Sequence, residues 1–252
     1  MRKVIVNFSG GKDSTVAILE ALKHYPKDEI TLCWQDTGAE YLETESHVRL
    51  IAQTLELPLE IQRANRDFWE EARRRGYFPT PVVRHCTGHL KHEVFNKWLT
   101  ANFRGKGYEI IVVSGIRAEE SLGRSRLHEW EDPKDHKLVR TASKVWYPCL
   151  NMSAQEVKER VKAEGLPLHP CYDFATRCSC WCCIFGRYNE VRTYAEAHPD
   201  LYEKACLVED EIKHKWKEGF GFNDLMKQGR LLQFNSRGKN ALLPRQPYQN
   251  IQ

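Results

Sequence analysis

Six residues, Ser9-Gly10-Gly11-Lys12-Asp13-Ser14, set between an apolar run and a stretch of helix formers, constrain this chain more than any other feature. Val4, Ile5, Val6 and Phe8 have the composition of a buried strand, and Lys12 to Leu22 then predict a helix. Gly10 and Gly11 carry no Cβ, so the backbone between the two elements can turn sharply and bring its N–H groups against a ligand. The first turn of the helix adds unpaired amides and the positive end of a dipole. Such a site wants an anion. The Ser9 and Ser14 hydroxyls and the Lys12 ammonium suit phosphate or pyrophosphate. The ordinary P-loop is excluded, because its first glycine would fall at Val6 and its Ser or Thr at Asp13.

The six residues resemble the pyrophosphatase loop of the adenine nucleotide alpha-hydrolase (PP-loop) superfamily. That superfamily includes ATP-consuming thiolation enzymes, N-type ATP pyrophosphatases and phosphoadenosine phosphosulfate reductases. Downstream, Ile30 to Trp34 predict a second strand, with Asp36-Thr37-Gly38 at its carboxyl end, where ligands collect in open α/β sheets, and Glu40 and Glu43 beyond. Taken alone, Asp-Thr-Gly is only a turn signal. Behind such a loop it resembles the corresponding segment of the phosphoadenosine phosphosulfate reductase family, where a carboxylate could accept from ribose or adenine donors. Tyr41 to Leu55 predict a helix, Leu59 to Gln62 a strand and Asp67 to Arg75 a helix. This alternation predicts an α/β fold: a Rossmann-like parallel twisted sheet with right-handed crossovers, flanked by helices and followed by a helical C-terminal extension.

Further segments resemble the same family. Arg84, Cys86, Thr87 and Lys91 match its Arg-x-Cys-Thr stretch, with His85 standing where members with an iron–sulfur cluster have a second cysteine. Tyr108 to Ser114 predict a strand, and Gly115, Ile116, Arg117, Glu120, Ser121 and Arg124 resemble the Gly-Ile-Arg-x-x-Glu-Ser segment that holds the nucleotide's anionic end. Arginine suits that task because its planar fork binds two oxygens of one phosphate or sulfate. Read without the resemblance, this segment is a solvated, charged helix start. Glu129 to Lys137 are polar and hold Pro133, which predicts a surface loop. Val145 to Pro148 and the amphipathic Ala154 to Ala163 follow, the latter with a capping box at Ser153 and Glu156. His169-Pro170-x-Tyr172, Arg177 and Cys180-x-x-Cys183 resemble the family pattern Pro-x-Tyr, Arg, Gly-Cys-x-x-Cys, with Ser179 where glycine is usual and extra cysteines at Cys171, Cys178 and Cys182.

The resemblance covers Met1 to about Gly186 and implies an adenine-nucleotide-binding domain over residues 1–186. A helical extension over 187–252 has candidate helices at Tyr188 to His198, Leu201 to Gly219 and Asn223 to Gln233, and then a tail with turn and Pro signals. It implies that Ser9, Gly10, Gly11, Lys12, Asp13, Ser14, Asp36, Thr37, Gly38, Gly115, Arg117 and Arg124 bind the nucleotide. The resemblance also implies that Lys12, Arg117 and Glu120 act in the chemistry, with ATP or a related adenine nucleotide, and Mg2+, as expected cofactors.

Nine cysteines, five of them between Cys171 and Cys183, look more like a metal or redox site than a secreted disulfide framework. Two cysteines separated by two residues reach one ion from a single turn, so Cys180 and Cys183 form the core of any metal site. The resemblance places Cys86 beside them. The fourth position is open to Cys178 or Cys182, and also to Cys171, Cys149, His85 or a substrate atom. A [4Fe-4S] cluster, structural zinc, and free thiols or a disulfide compete for this group. Cys33 and Cys206 read as ordinary buried residues.

A net charge of +4 and a pI near 8.5 are too mildly basic to argue for nucleic acid. No apolar run is long enough to cross a bilayer and no signal peptide precedes the first strand, which predicts a cytoplasmic protein without a membrane partner. Reduction of a sulfonucleotide in this family depends on a late Glu-Cys-Gly-x-His type motif. Here the last cysteine is Cys206, in a different setting, which weighs against sulfite production. The expected function is therefore ATP-pyrophosphatase-type activation coupled to sulfur or nucleic-acid modification, with a sulfur-donor or redox protein as partner and homo-oligomerisation left open. The alternatives are a sulfonucleotide reductase and a nucleotide-binding accessory protein of a phage, defence or CRISPR locus.

Overall fold

The structure, a computed structural model, describes residues 1–133 and 141–227. In chain order the elements are β1 (Arg2–Asn7), α1 (Lys12–His24), β2 (Ile30–Asp36), α2 (Thr44–Thr54), β3 (Leu59–Arg63) and α3 (Phe68–Arg75). A single helical turn α4 (His85–Thr87) and a π turn (Gly88–His92) lead into α5 (Glu93–Phe103) and β4 (Glu109–Ser114). β5 (Trp130–Glu131), β6 (Lys144–Trp146), α6 (Ala154–Ala163), α7 (Tyr188–Ala197), α8 (Pro199–Ile212) and α9 (Phe222–Leu225) follow.

The strands form one sheet in the order β3-β2-β1-β4-β6-β5, parallel except for β5, which runs antiparallel to β6. Alternation along the strands explains the layers. Val4, Val6, Leu32 and Val113 face α1, α2 and α6 on one side, whereas Ile5, Cys33 and Val112 meet Phe95 and Leu99 of α5 on the other. Strands covered on both faces read as continuous apolar runs, which is why β1 and β4 were so legible. The chain winds from β1 outward to β2 and β3, then returns to place β4 on the other flank of β1. The boundary between β1 and β4 is therefore the topological switch point, and the crevice at the carboxyl ends of these strands is where such sheets bind ligands.

Three expectations need correction. Trp130 and Glu131 lie within the predicted surface loop but form an edge strand, because Trp130 stacks on Trp146 with centroids 5.1 Å apart and the Trp146 indole N–H donates to Glu129. Residues 134–140 lie outside the described residues. The helix predicted to reach Gly219 stops at Ile212, with Lys213 left-handed at φ +52°. The buried Glu209 carboxylate accepts the amides of Trp216, Phe222 and Asn223, and this draws the chain back over α8. The last predicted helix is represented by α9 alone. Its predicted remainder beyond Lys227 and the tail from Asn235 lie outside the described residues. The amphipathic helix Ala154–Ala163 and its capping box stand as read.

A second apolar core, built largely of aromatic rings, lies beyond the sheet. Trp69 and Phe78 from the α3 region, Trp181 of the cysteine-rich segment, Tyr194 of α7, and Trp216 and Phe222 all share it. The C-terminal helices thus pack directly on the cysteine-rich segment. No helix among the described residues is long and apolar enough to cross a membrane.

Candidate functional site

The Ser9–Ser14 loop sits at the switch point. Gly10 turns the chain at φ +79°, a left-handed conformation that L side chains rarely adopt, and Gly11 is the N-cap of α1 with no side chain to close the helix end. Ser14 Oγ donates to the Gly11 carbonyl at 2.9 Å and stands 3.1 Å from Ser9 Oγ. The Lys12 amide donates to the Tyr172 hydroxyl at 3.0 Å, although the two residues are 160 positions apart. The loop after β4 closes the other flank. A Cβ on Gly115 would lie 2.3 Å from the Asp13 carbonyl oxygen, so only glycine permits this approach.

Two buried cations meet here. Lys12 and Arg117 are 5% and 6% exposed, and both contact the Asp13 carboxylate, Lys12 Nζ at 2.7 Å. Burial lowers the Lys12 pKa against the opposing pull of Asp13. Arg117 also pairs with Glu119, and its amide donates to Glu120 at 3.0 Å; Glu120 in turn pairs with Arg124. Of the residues expected to bind anions, Ser9 to Ser14, Gly115 and Arg117 therefore converge. Arg124 is held one step further out, through Glu120. Asp36 is engaged by Arg63 Nε at 2.7 Å and by the Gly38 amide at 2.9 Å, and the Thr37 hydroxyl bonds the Glu40 carboxylate. The turn they make is fastened to α3 by the Phe68 amide, which donates to the Thr37 carbonyl at 2.7 Å.

The cysteine-rich segment lies across the front of this turn. Cys180 bridges Glu40, and the Trp181 amide donates to the Ala39 carbonyl at 3.0 Å. The Cys180 thiol donates to Cys183 and, with the Phe185 amide, Arg177 and Lys91, lowers the Cys183 pKa; the same hydrogen bond raises Cys180. Burial raises Cys86, which feels Lys91 and Cys183. Lys91 contacts Glu40 at 3.3 Å; burial alone would lower its pKa, but Glu40 and the thiols of Cys180 and Cys86 outweigh that and raise it. Cys86, Cys180 and Cys183 thus all feel the charge of one ammonium. Cys182 is buried in the aromatic core, its carbonyl accepting from the Trp216 indole at 2.7 Å. Cys178 stands elsewhere, with His169 and Cys171. Tyr172 and this second group escaped the sequence reading as contacts of the loop: His169-Pro170-x-Tyr172 was visible, but nothing local shows that it folds back onto residues 9–12.

Residues 3–186 match a family model described as the phosphoadenosine phosphosulfate reductase domain. The chain is 28% identical over 225 residues to an uncharacterized protein of Methanocaldococcus jannaschii, covering 87% of this chain and 44% of that protein. It is also 28% identical over 148 residues to an uncharacterized 37.8 kDa protein from the gpa 5′ region of Escherichia phage 186, covering 58% of this chain and 42% of that protein. The chain thus spans less than half the length of these curated relatives. Its fold is similar to the crystal structure of phosphoadenylyl-sulfate reductase from Candida auris in a phosphate complex. The TM-score is 0.52 at 17% identity, over 72% of this chain and 82% of that one, a likeness of fold alone.

Proposed function

The chain belongs to the phosphoadenosine phosphosulfate reductase domain family, and on that premise we propose that it binds ATP or a related adenine nucleotide at Ser9–Ser14 and uses it for pyrophosphatase-type activation in sulfur or nucleic-acid modification chemistry. The observation that carries this reading is the convergence of two buried cations, Lys12 and Arg117, on one carboxylate at the switch point, beside the amides of a helix N-terminus. Anionic oxygens entering there meet charge that is already desolvated and positioned, so the stabilisation of developing negative charge costs little reorganisation. A substrate oxygen would attack the α-phosphorus, and pyrophosphate would leave toward Lys12 and Arg117. Glu120 positions both arginines, and a Mg2+ carried by the phosphates would share their charge.

Cys86, Cys180 and Cys183 would hold an iron–sulfur cluster, or zinc in its place. Three thiols, one of them already biased toward the thiolate, suit a soft metal centre. When bound, such a cluster supplies electron storage or a sulfur-binding iron. The chain's own part is Lys91, a fixed cation among the thiols.

Thermal melting with ATP, adenosine phosphosulfate and its 3′-phosphorylated form tests the loop. A nucleotide at a hundred times its Kd should add about 2.7 kcal/mol of stability. Lys12→Ala removes one of the buried cations, and Gly11→Val puts a branched side chain where even a Cβ lies 3.2 Å from Cys178. Both should abolish the shift, and an unchanged shift in both would sink the assignment. Pyrophosphate released on mixing ATP with an acceptor supports the activation chemistry. Steady sulfite release from a sulfonucleotide with a thiol reductant would replace it with reduction.

A further inference from the structure

We propose that His169, Cys171 and Cys178 bind one zinc ion, in a site separate from the Cys86, Cys180 and Cys183 group. The three offer one imidazole nitrogen and two sulfurs, and these ligand atoms lie within 4.8 Å of one another. Zinc–sulfur and zinc–nitrogen bonds of about 2.3 and 2.0 Å place tetrahedral ligands roughly 3.5–3.8 Å apart, so closing the group on an ion needs small side-chain shifts and release of the Cys171 amide from the imidazole.

The tautomer of the histidine suits the task. A backbone N–H can only donate, so the Cys171 amide, 3.0 Å from His169 Nδ1, shows that Nδ1 is unprotonated, and an ion binding there takes over the lone pair that now accepts this amide. The proton is then on Nε2, which stands 3.1 Å from the Thr44 hydroxyl. A ligating histidine whose other nitrogen donates to a fixed oxygen is the usual arrangement at zinc sites. The two thiols have long contacts to backbone, Cys171 Sγ 4.0 Å from the Arg177 carbonyl oxygen and Cys178 Sγ 3.9 Å from that of Ser9. Next to the group, the ring of His47 stands edge-on to His169 with centroids 4.9 Å apart, and its buried Nε2 has no hydrogen-bond partner among the described residues. A buried polar nitrogen left unpaired is costly.

One neutral nitrogen and two thiolates carry a charge of −2, which a dication neutralises, and this borderline-soft donor set favours zinc over magnesium or calcium. The ion would fasten the cysteine-rich segment to the anion loop. Cys178 Sγ lies 3.9 Å from the Ser9 carbonyl oxygen, and Tyr172, next to Cys171, takes the Lys12 amide.

The test uses the full chain, stripped of metal with a chelator and kept under a phosphine reductant, with Co2+ as the spectroscopic probe and Zn2+ as competitor. In the Cys86→Ser/Cys183→Ser chain, which lacks the other thiol group, the expected result is one Co2+ per chain with a thiolate-to-cobalt charge-transfer band and tetrahedral ligand-field bands, displaced by one equivalent of Zn2+. Cys178→Ser added to that background should abolish the band, and Thr44→Val should weaken binding roughly 10–100-fold by releasing the histidine's second nitrogen. Circular dichroism and the melting temperature of each variant separate loss of ligand from loss of fold. A band that survives Cys178→Ser in the Cys86→Ser/Cys183→Ser background, or no band from that background chain when it is folded, would each overturn the assignment. None of these readouts involves nucleotide, so they are independent of the proposed activity.

Discussion

Glu71 is the plainest case of one residue whose burial is made tolerable by its partners. It is 4% exposed and accepts from Arg74 at 2.6 Å and Arg75 at 2.6 Å, with Arg66 at 3.4 Å. The Arg74 hydrogen bond, working against burial and joined by Arg75, holds its pKa down to about 2. A carboxylate depressed in the folded state contributes stability that is complete above its unfolded value of 4.5 and is lost as the pH falls toward 2. We expect Glu71 to supply about 3 kcal/mol at neutral pH as an upper bound. Glu71→Gln should remove that amount and flatten the acid limb of stability measured by urea unfolding between pH 5 and 2. An acid limb as steep in the variant as in the parent would refute this assignment. Single residues of this kind were only partly legible in the sequence. Lys12 and Arg117 announced themselves by motif. His169 and Tyr172 stood out as part of a motif but not as neighbours of the loop, and Glu71 not at all, because their roles depend on partners that only the folded chain brings close.

Between elements, the decisive contact is the approach of β4 to α1. Gly115 leaves no room for a methyl group against the Asp13 carbonyl, and backbone atoms cannot move aside as a side-chain end can. Gly115→Ala should therefore cost about 1–3 kcal/mol, read from the urea midpoint, and should also weaken nucleotide-induced stabilisation by separating Arg117 from Lys12. A variant with parental stability would show that the two loops are not in register. Most elements of the sheet were legible because strands covered on both faces must be apolar. α5 was not predicted, since its start is a π turn through Gly88 and its apolar residues are interspersed with Asn96, Lys97 and Thr100. β5 escaped for a different reason: two residues have no periodicity, and only the stacking of Trp130 on Trp146 fixes them.

Across the whole molecule, the sheet and the C-terminal helices meet through the aromatic core under the cysteine-rich segment. Trp216 is buried, stacks on Phe222 with centroids 5.0 Å apart and donates to the Cys182 carbonyl. Trp216→Ala should cost about 3–5 kcal/mol and loosen the turn that carries Cys180 and Cys183. Faster loss of bound metal to a chelator would accompany the lower melting temperature, whereas unaltered metal retention would separate the helices from the site. The bond from the Lys12 amide to the Tyr172 hydroxyl has a consequence in time as well as in space. On the ribosome the anion loop emerges well before the hydroxyl that meets its helix end, which comes 160 positions later, and β4 must already have paired with β1. Nascent chains arrested before Tyr172 should leave nucleotide unbound, and those carrying it should begin to hold it. Affinity for the nucleotide would then report that synthesis has passed this point.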